Sequence, residues 1–95
     1  MPAKILIADD EKVIRESIKS ILDEEGFITD TAADGEEALR KITDDTFDLV
    51  ISDIKMPKFD GIQLLDATMK ISPETHFIIM TAYASVQTAI DSLRM

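Results

Sequence analysis

Short apolar runs alternate along the chain with longer segments in which apolar residues recur at helical spacing. Each run has the length and composition of a β-strand. The four runs are KILIA at 4–8, FITDTA at 27–32, DLVIS at 48–52 and HFIIM at 76–80. Between the first two, apolar residues share one helical face at the i, i+4, i+7, i+8 spacing, namely Ile14, Ile18, Ile21 and Leu22. The pattern predicts the order β-α-β-α-β-α-β-α.

Helix start and stop signals separate the predicted elements. Gly26 follows the first helical segment as a C-terminal stop. Asp34 and Glu37 have the D-x-x-E spacing of a capping box before the second helix, and Asp60 and Gln63 cap the third. A fourth helix is predicted to begin after Ser85, with an apolar face formed by Val86, Ala89, Ile90 and Leu93.

This alternation of strands and helices predicts the fold class. It indicates parallel strands joined by right-handed helical crossovers, and therefore a doubly wound, three-layer α/β domain. The apolar run Leu49, Val50 and Ile51 predicts a third strand that is buried on both faces. The polar content of the segment 27–32 predicts a strand at the edge of the sheet.

Size and composition restrict the class of protein further. Ninety-five residues form one domain, and no apolar stretch approaches the ~20 residues of a membrane span. There is no cysteine, which fits a reducing compartment, and we expect a cytoplasmic protein with no membrane contact. A formal net charge of −9 argues against nucleic-acid binding by this chain and suits a protein that meets cations or basic surfaces.

Acidic residues follow two of the strands at the edge where parallel α/β sheets bind ligands. Asp9 and Asp10 follow the first strand, Asp53 follows the third, and the hydroxyl of Thr81 follows the fourth. Clustered carboxylates repel one another, and a hard cation such as Mg²⁺ removes that conflict. A carboxylate beside Mg²⁺ can also act as a nucleophile toward phosphorus. The residues therefore predict a site that accepts a phosphoryl group.

Three motifs together resemble the receiver domain of bacterial two-component response regulators. They are LIADDE at 6–11, ISDIKMPKFDG at 51–61 and IIMTAYAS at 78–85, in that order along the chain. The resemblance implies a flavodoxin-like sheet with the strand order 2-1-3-4. The last segment, TAYASVQTAIDSLRM, is most similar to regulators of the sigma-54 activator subgroup.

The resemblance also implies a role for each matching position. Asp53 would take the phosphoryl group from a sensor histidine kinase or a small phosphodonor, and Thr81 would be the switch hydroxyl. Mg²⁺, with Mn²⁺ as an alternative, would be held by Asp53, Asp10, Asp9 (through bound water) and the backbone carbonyl of Lys55. The side chains that flank the site and tune loss of the phosphoryl group would be Lys55, Ala82 and Tyr83.

One departure from the family pattern concerns the C-terminal part. A full receiver domain continues with a fifth strand carrying a lysine, and then a fifth helix, whereas this sequence stops at Met95. We therefore expect residues 1–95 to be a receiver domain truncated before these elements, without the output domain of its parent. Strand 76–80 would then be an exposed edge, which predicts self-association or exchange of elements between chains.

Three other functions compete with phosphoacceptance. A phosphatase of the haloacid dehalogenase type needs D-x-D after the strand, whereas Ile54 and Lys55 follow Asp53. A nucleotide-binding module needs a glycine-rich loop that three glycines in the chain do not form. The alternative that stays open is a receiver-like fragment that is not phosphorylated and acts only in interaction or self-association. The chain is not expected to be an enzyme beyond its own phosphorylation and dephosphorylation.

Overall fold

A computed structural model describes residues 2–80, which contain four strands and three helices. In chain order these are β1 (Lys4–Ala8), α1 (Lys12–Glu24), β2 (Ile28–Ala32), α2 (Gly35–Asp44), β3 (Leu49–Asp53), α3 (Gly61–Ile71) and β4 (His76–Met80). The bounds of β1 and β4 are those predicted from the apolar runs. The strand β3 lies one residue further along than predicted, so that Asp53 is its last residue. The predicted fourth helix lies outside the described residues.

The four strands form one parallel sheet in the order β2-β1-β3-β4, which confirms the predicted doubly wound α/β topology. Ala8 pairs with Ala32 on one side and with Ser52 on the other, and Asp53 pairs with Met80. The carboxyl ends of all four strands therefore meet at one rim. Within residues 2–80, none of the helices has the length and apolarity needed to cross a bilayer.

The main core lies between the sheet and the helices α2 and α3. It is built on Leu6 and Val50 from the two central strands, which are fully buried against Ala38 of α2 and Leu64 of α3. Complete burial of side chains of this size contributes about 1.5–3 kcal/mol each. The side chains of Ile5 and Ile7 alternate with that of Leu6 and are buried on the opposite face, where α1 lies.

The expectation that β3 is buried on both faces is wrong. Val50 is fully buried, but Leu49 and Ile51 on the other face are only half-buried, because α1 lies over β1 and β2. The same placement explains Ile21, which belongs to the apolar face of α1 and is nevertheless 62% exposed. The apolar arc of α1 is therefore wider than the part of the helix that contacts the sheet.

Local hydrogen bonds fix the ends of the helices. Gly26 has φ 90° after α1, the left-handed conformation that glycine adopts without strain. The Asp34 carboxylate accepts the Glu37 N–H at 2.8 Å, but the Glu37 side chain accepts from the backbone N–H of Ala33 rather than that of Asp34. The capping box of α3 is complete, formed in both directions between Asp60 and Gln63. These caps begin α2 and α3 at the rim where the strands end.

Candidate functional site

Three carboxylates converge at the rim, as the sequence predicted. Asp9 follows β1 directly, Asp10 is the next residue, and Asp53 is the last residue of the adjacent strand β3. Each offers an oxygen atom that lies within 4.8 Å of the other two. Asp9 is only 2% exposed, whereas Asp53 is half-buried and Asp10 is exposed. The cluster therefore has a buried base and an open side toward solvent.

The buried member of the cluster is held by hydrogen bonds to its backbone and its side chain. The N–H of Asp9 donates to the Ala32 carbonyl at 3.1 Å, and its carboxylate accepts the Glu11 N–H at 2.8 Å. The guanidinium of Arg15 donates to the backbone carbonyl of Asp9 at 2.8 Å. Arg15 was not predicted from the sequence. The feature that could have indicated it is a basic residue in the first helix, a few positions after Asp9 and Asp10. The position of Asp9 thus depends on α1 as well as on β1.

The electrostatics of the cluster favour a cation. Burial raises the pKa of Asp9 above the ordinary value of 3.8, the Glu11 N–H acts against that rise, and the charges of Asp53 and Asp10 add to it. Among residues 2–80, no lysine or arginine forms an ion pair with any of the three carboxylates. An all-oxygen donor set with unneutralised negative charge matches the chemistry of a hard divalent cation. The residues present therefore fit such an ion.

Backbone contacts fix the carboxyl end of β3. The buried hydroxyl of Ser52 donates to the Asp53 carbonyl at 2.8 Å. The Ile54 N–H donates to the Met80 carbonyl of β4 at 3.0 Å, and the Gly61 N–H donates to the Ile54 carbonyl at 2.8 Å. The backbone on either side of Asp53 is thereby tied to both neighbouring elements, which keeps its side chain at the rim.

The remaining predicted site residues fall into two groups. Lys55 is exposed at the start of the segment that connects β3 with α3, two residues beyond Asp53. Thr81, Ala82 and Tyr83 lie outside the described residues. The last residue of β4, Met80, is paired with Asp53.

Comparison with known proteins identifies the family to which the chain belongs. The family of the response regulator receiver domain matches residues 5–95. The regulatory protein AtoC of Escherichia coli is 41% identical over 91 residues, which cover 96% of this chain and 20% of AtoC. Sporulation initiation phosphotransferase F of Bacillus subtilis is 41% identical over 86 residues, which cover 90% of this chain and 69% of that protein. The chain belongs to the response regulator receiver domain family, a family of signalling domains.

Solved structures match the same architecture. The response regulator TrrA of Thermotoga maritima, solved in complex with Mg²⁺–BeF, superimposes with a TM-score of 0.83 at 41% identity, covering 98% of this chain and 80% of TrrA. The relatives include regulators of the sigma-54 activator type, AtoC among them, as the C-terminal segment indicated. The chain spans only a fifth of the length of AtoC.

Proposed function

We propose that the chain is a phosphoacceptor signalling domain in which Asp53 accepts a phosphoryl group from a sensor histidine kinase. The observation that carries the proposal is the half-buried carboxylate at the end of β3, with two further carboxylates within 4.8 Å. A buried or partly buried carboxylate with two acidic neighbours and no basic partner destabilises a fold. The cluster is therefore better explained by a function than by a contribution to stability. Membership of the receiver family supports the same function.

The proposed metal ligands are the carboxylates of Asp10 and Asp53 and the backbone carbonyl of Lys55, with the Asp9 carboxylate acting through bound water. Mg²⁺ is the proposed ion, with Mn²⁺ as the alternative, and the complex of the relative TrrA with Mg²⁺–BeF supports this choice. When bound, the ion would neutralise charge on the carboxylates and on the transferred phosphoryl oxygens. The buried Asp9 would hold its oxygen at the base of the site through the Glu11 N–H.

The proposed reaction is a nucleophilic displacement at phosphorus. A carboxylate oxygen of Asp53 forms a bond to phosphorus, and the bond from phosphorus to the donor nitrogen or oxygen breaks. The departing group keeps the electron pair of that bond, and Asp53 becomes an aspartyl phosphate. We assign Thr81 as the hydroxyl that hydrogen-bonds the phosphoryl oxygens, and Lys55, Ala82 and Tyr83 as the side chains that control access of water. The chain modifies only itself in this scheme.

The proposed partners follow from the same chemistry. A histidine kinase supplies the phosphoryl group in the cytoplasm, and an output domain in a longer parent protein reads the phosphorylated state and regulates transcription. The greater length of relatives such as AtoC supports the second point. The formal charge of −9 argues against direct binding of nucleic acid by this chain.

We also expect the chain to self-associate through β4. Among residues 2–80 this strand has a partner on one side only, and its Ile78 is 50% exposed. Sedimentation velocity over a range of concentrations should show a dimer that Ile78→Lys weakens, because a charge on an edge strand opposes pairing. A monomer at every concentration would contradict this expectation.

Intact mass spectrometry tests the proposed function. The chain is incubated with Mg²⁺ and a small acyl phosphate, beside the variants Asp53→Asn and Asp66→Asn. We expect one phosphoryl group on the wild type and on Asp66→Asn, whose site lies on the exposed face of α3, and none on Asp53→Asn. An unmodified wild type would contradict phosphoacceptance by this chain and leave interaction alone as its function.

A further inference from the structure

The segment 54–60, which connects β3 with α3, is packed against two of the three glycines in the chain. This segment, called the rim loop below, begins immediately after Asp53 and contains Lys55. Its Met56 side chain is 9% exposed and belongs to the main core, and its Phe59 packs against the same core. The rim loop is therefore anchored in the core by its own apolar side chains. The position of its backbone depends on the two glycines packed against it.

Gly61 lies in direct contact with the backbone of the proposed phosphoacceptor. A Cβ atom at this position would lie 2.9 Å from the Ile54 Cα and closer still to the Asp53 carbonyl oxygen. Contacts under 3.0 Å are essentially never seen for real Cβ atoms, and backbone atoms do not move aside as a flexible side chain does. Only glycine lets α3 begin this close to Asp53. The hydrogen bond from the Gly61 N–H to the Ile54 carbonyl depends on that approach.

Gly35 makes a second close approach, to the backbone of Phe59 near the end of the rim loop. It is the first residue of α2, and a Cβ atom there would lie 2.6 Å from the carbonyl carbon of Phe59 and closer to its oxygen. Next to it, the Asp34 carboxylate lies 3.7 Å from the ammonium of Lys58, the residue in the rim loop with φ 71°. The N-terminus of α2 thus contacts the end of the rim loop that leads into α3.

We infer that Gly61 and Gly35 are positioning residues for the phosphorylation site, holding the rim loop against the backbone of Asp53. Their close contacts keep the Asp53 carboxylate and the Lys55 carbonyl in register with the carboxylates of Asp9 and Asp10. This inference rests on the proposed function and names two residues that take no part in the chemistry. A side chain at either position would displace the rim loop. The displacement would move both the Lys55 carbonyl, a proposed metal ligand, and the Asp53 carboxylate, the proposed nucleophile.

The test compares alanine at the three glycines of the chain. Gly61→Ala and Gly35→Ala perturb the rim loop. Gly26→Ala is the matched control, because its φ of 90° strains any side chain while nothing lies within 4 Å of the new Cβ. Gly26 also lies just before β2, at the edge of the sheet opposite the rim. All three variants are therefore expected to lose stability, and only two of them to disturb the site.

Two quantities are measured for each folded variant, with the wild type in parallel. The first is the dissociation constant of Mg²⁺ from isothermal titration calorimetry, and the second is the initial rate of phosphorylation at saturating Mg²⁺. A displacement of reacting groups by about 1 Å lowers a rate by roughly a hundredfold, so we expect a fall of about tenfold to a hundredfold for Gly61→Ala and Gly35→Ala, with weaker Mg²⁺ binding. Gly26→Ala should retain both wild-type values.

The outcomes separate this inference from the proposed function. Wild-type values of both quantities in Gly61→Ala and Gly35→Ala would overturn the positioning role, and so would an equal loss in Gly26→Ala, which would indicate a general effect of stability. If the wild type takes up no phosphoryl group, the proposed function fails, and the Mg²⁺ affinities alone decide the inference. If Gly61→Ala does not fold by circular dichroism, Gly35→Ala decides it, because its close contacts are with Phe59, at the opposite end of the rim loop from Asp53.

Discussion

Replacing Asp9 by asparagine should stabilise the protein without divalent cations and remove its stabilisation by Mg²⁺. Asparagine has the shape of aspartate, and its carbonyl oxygen can still accept the Glu11 N–H that the carboxylate accepts at 2.8 Å. The substitution therefore removes a buried negative charge and leaves the local hydrogen bond. What it changes is the repulsion within the cluster and the affinity of the cluster for a cation.

The magnitude follows from the geometry of the cluster. Two unit charges no more than 4.8 Å apart repel by at least about 3 kcal/mol at an effective dielectric constant of about 20. Solvent screens Asp10, which is exposed, and partly screens Asp53, so we expect a gain of about 1–2 kcal/mol in the free energy of unfolding. For a domain of this size that gain raises Tm by about 4–16 °C.

The effect of the Asp9 charge on stability should depend on pH. Because burial and the neighbouring charges raise the pKa of folded Asp9 above 3.8, the folded state holds this proton more tightly than the unfolded state. Its contribution to stability is therefore present below pH 3.8 and is lost as the pH rises through the folded-state pKa. Asp9→Asn should lack this loss of stability.

The assay is thermal unfolding followed by circular dichroism, in a chelator and then in Mg²⁺. The wild type should gain about 1.4 kcal/mol at a Mg²⁺ concentration ten times its dissociation constant, and Asp9→Asn much less. Asp66→Asn is the control, since it makes the same change of charge at a side chain that is 71% exposed on α3, and its two Tm values should match the wild type. An Asp9→Asn variant that melts below the wild type in chelator would show that the charge of Asp9 does not destabilise the fold.

Two further predictions concern the helix ends that border the rim. Asp34→Ala removes the acceptor of the Glu37 N–H and should cost about 1 kcal/mol at neutral pH, measured by urea unfolding. That hydrogen bond, and after it the nearby charge of Lys58, lowers the pKa of Asp34 below 3.8. The stabilisation by Asp34 is therefore present above pH 3.8 and is lost as the pH falls through the folded-state pKa. An Asp34→Ala variant whose stability has the same dependence on acidic pH as the wild type would contradict this. Arg15→Gln removes the donor to the Asp9 carbonyl and should raise the Mg²⁺ dissociation constant about threefold to tenfold, with Arg40→Gln as the exposed control. Equal affinities in these two arginine variants would show that Arg15 does not position Asp9.

The sequence predicted the sheet and its acidic rim because both depend on local patterns. The runs 4–8 and 76–80 combine apolar residues with polar boundaries, and the strands occupy those same residues. Once the strands are parallel, their carboxyl ends must share an edge, so Asp53 and the pair at 9–10 had to converge. How close these carboxylates lie depends on the order of the strands in the sheet and on their register.

The parts that the sequence did not predict depend on contacts between distant elements. Ile21 has the spacing of a core residue, but nothing in its own segment indicates how far α1 extends over the sheet, and it is 62% exposed. Gly35 and Gly61 each follow a helix cap in the sequence, whereas their requirement for glycine comes from backbone atoms of Phe59 and Asp53. Arg15 could be assigned a role only after its hydrogen bond to the Asp9 carbonyl was seen.

Locating the phosphoryl group in the chain tests directly whether Asp53 is the phosphoacceptor. Borohydride reduces an acyl phosphate to an alcohol and so converts a phosphorylated aspartate into homoserine, which peptide mass spectrometry identifies by position. After incubation with Mg²⁺ and an acyl phosphate, we expect homoserine at position 53 and at none of the other acidic positions. Homoserine at 9 or 10, or its absence from the chain, would contradict the assignment of Asp53 as the phosphoacceptor.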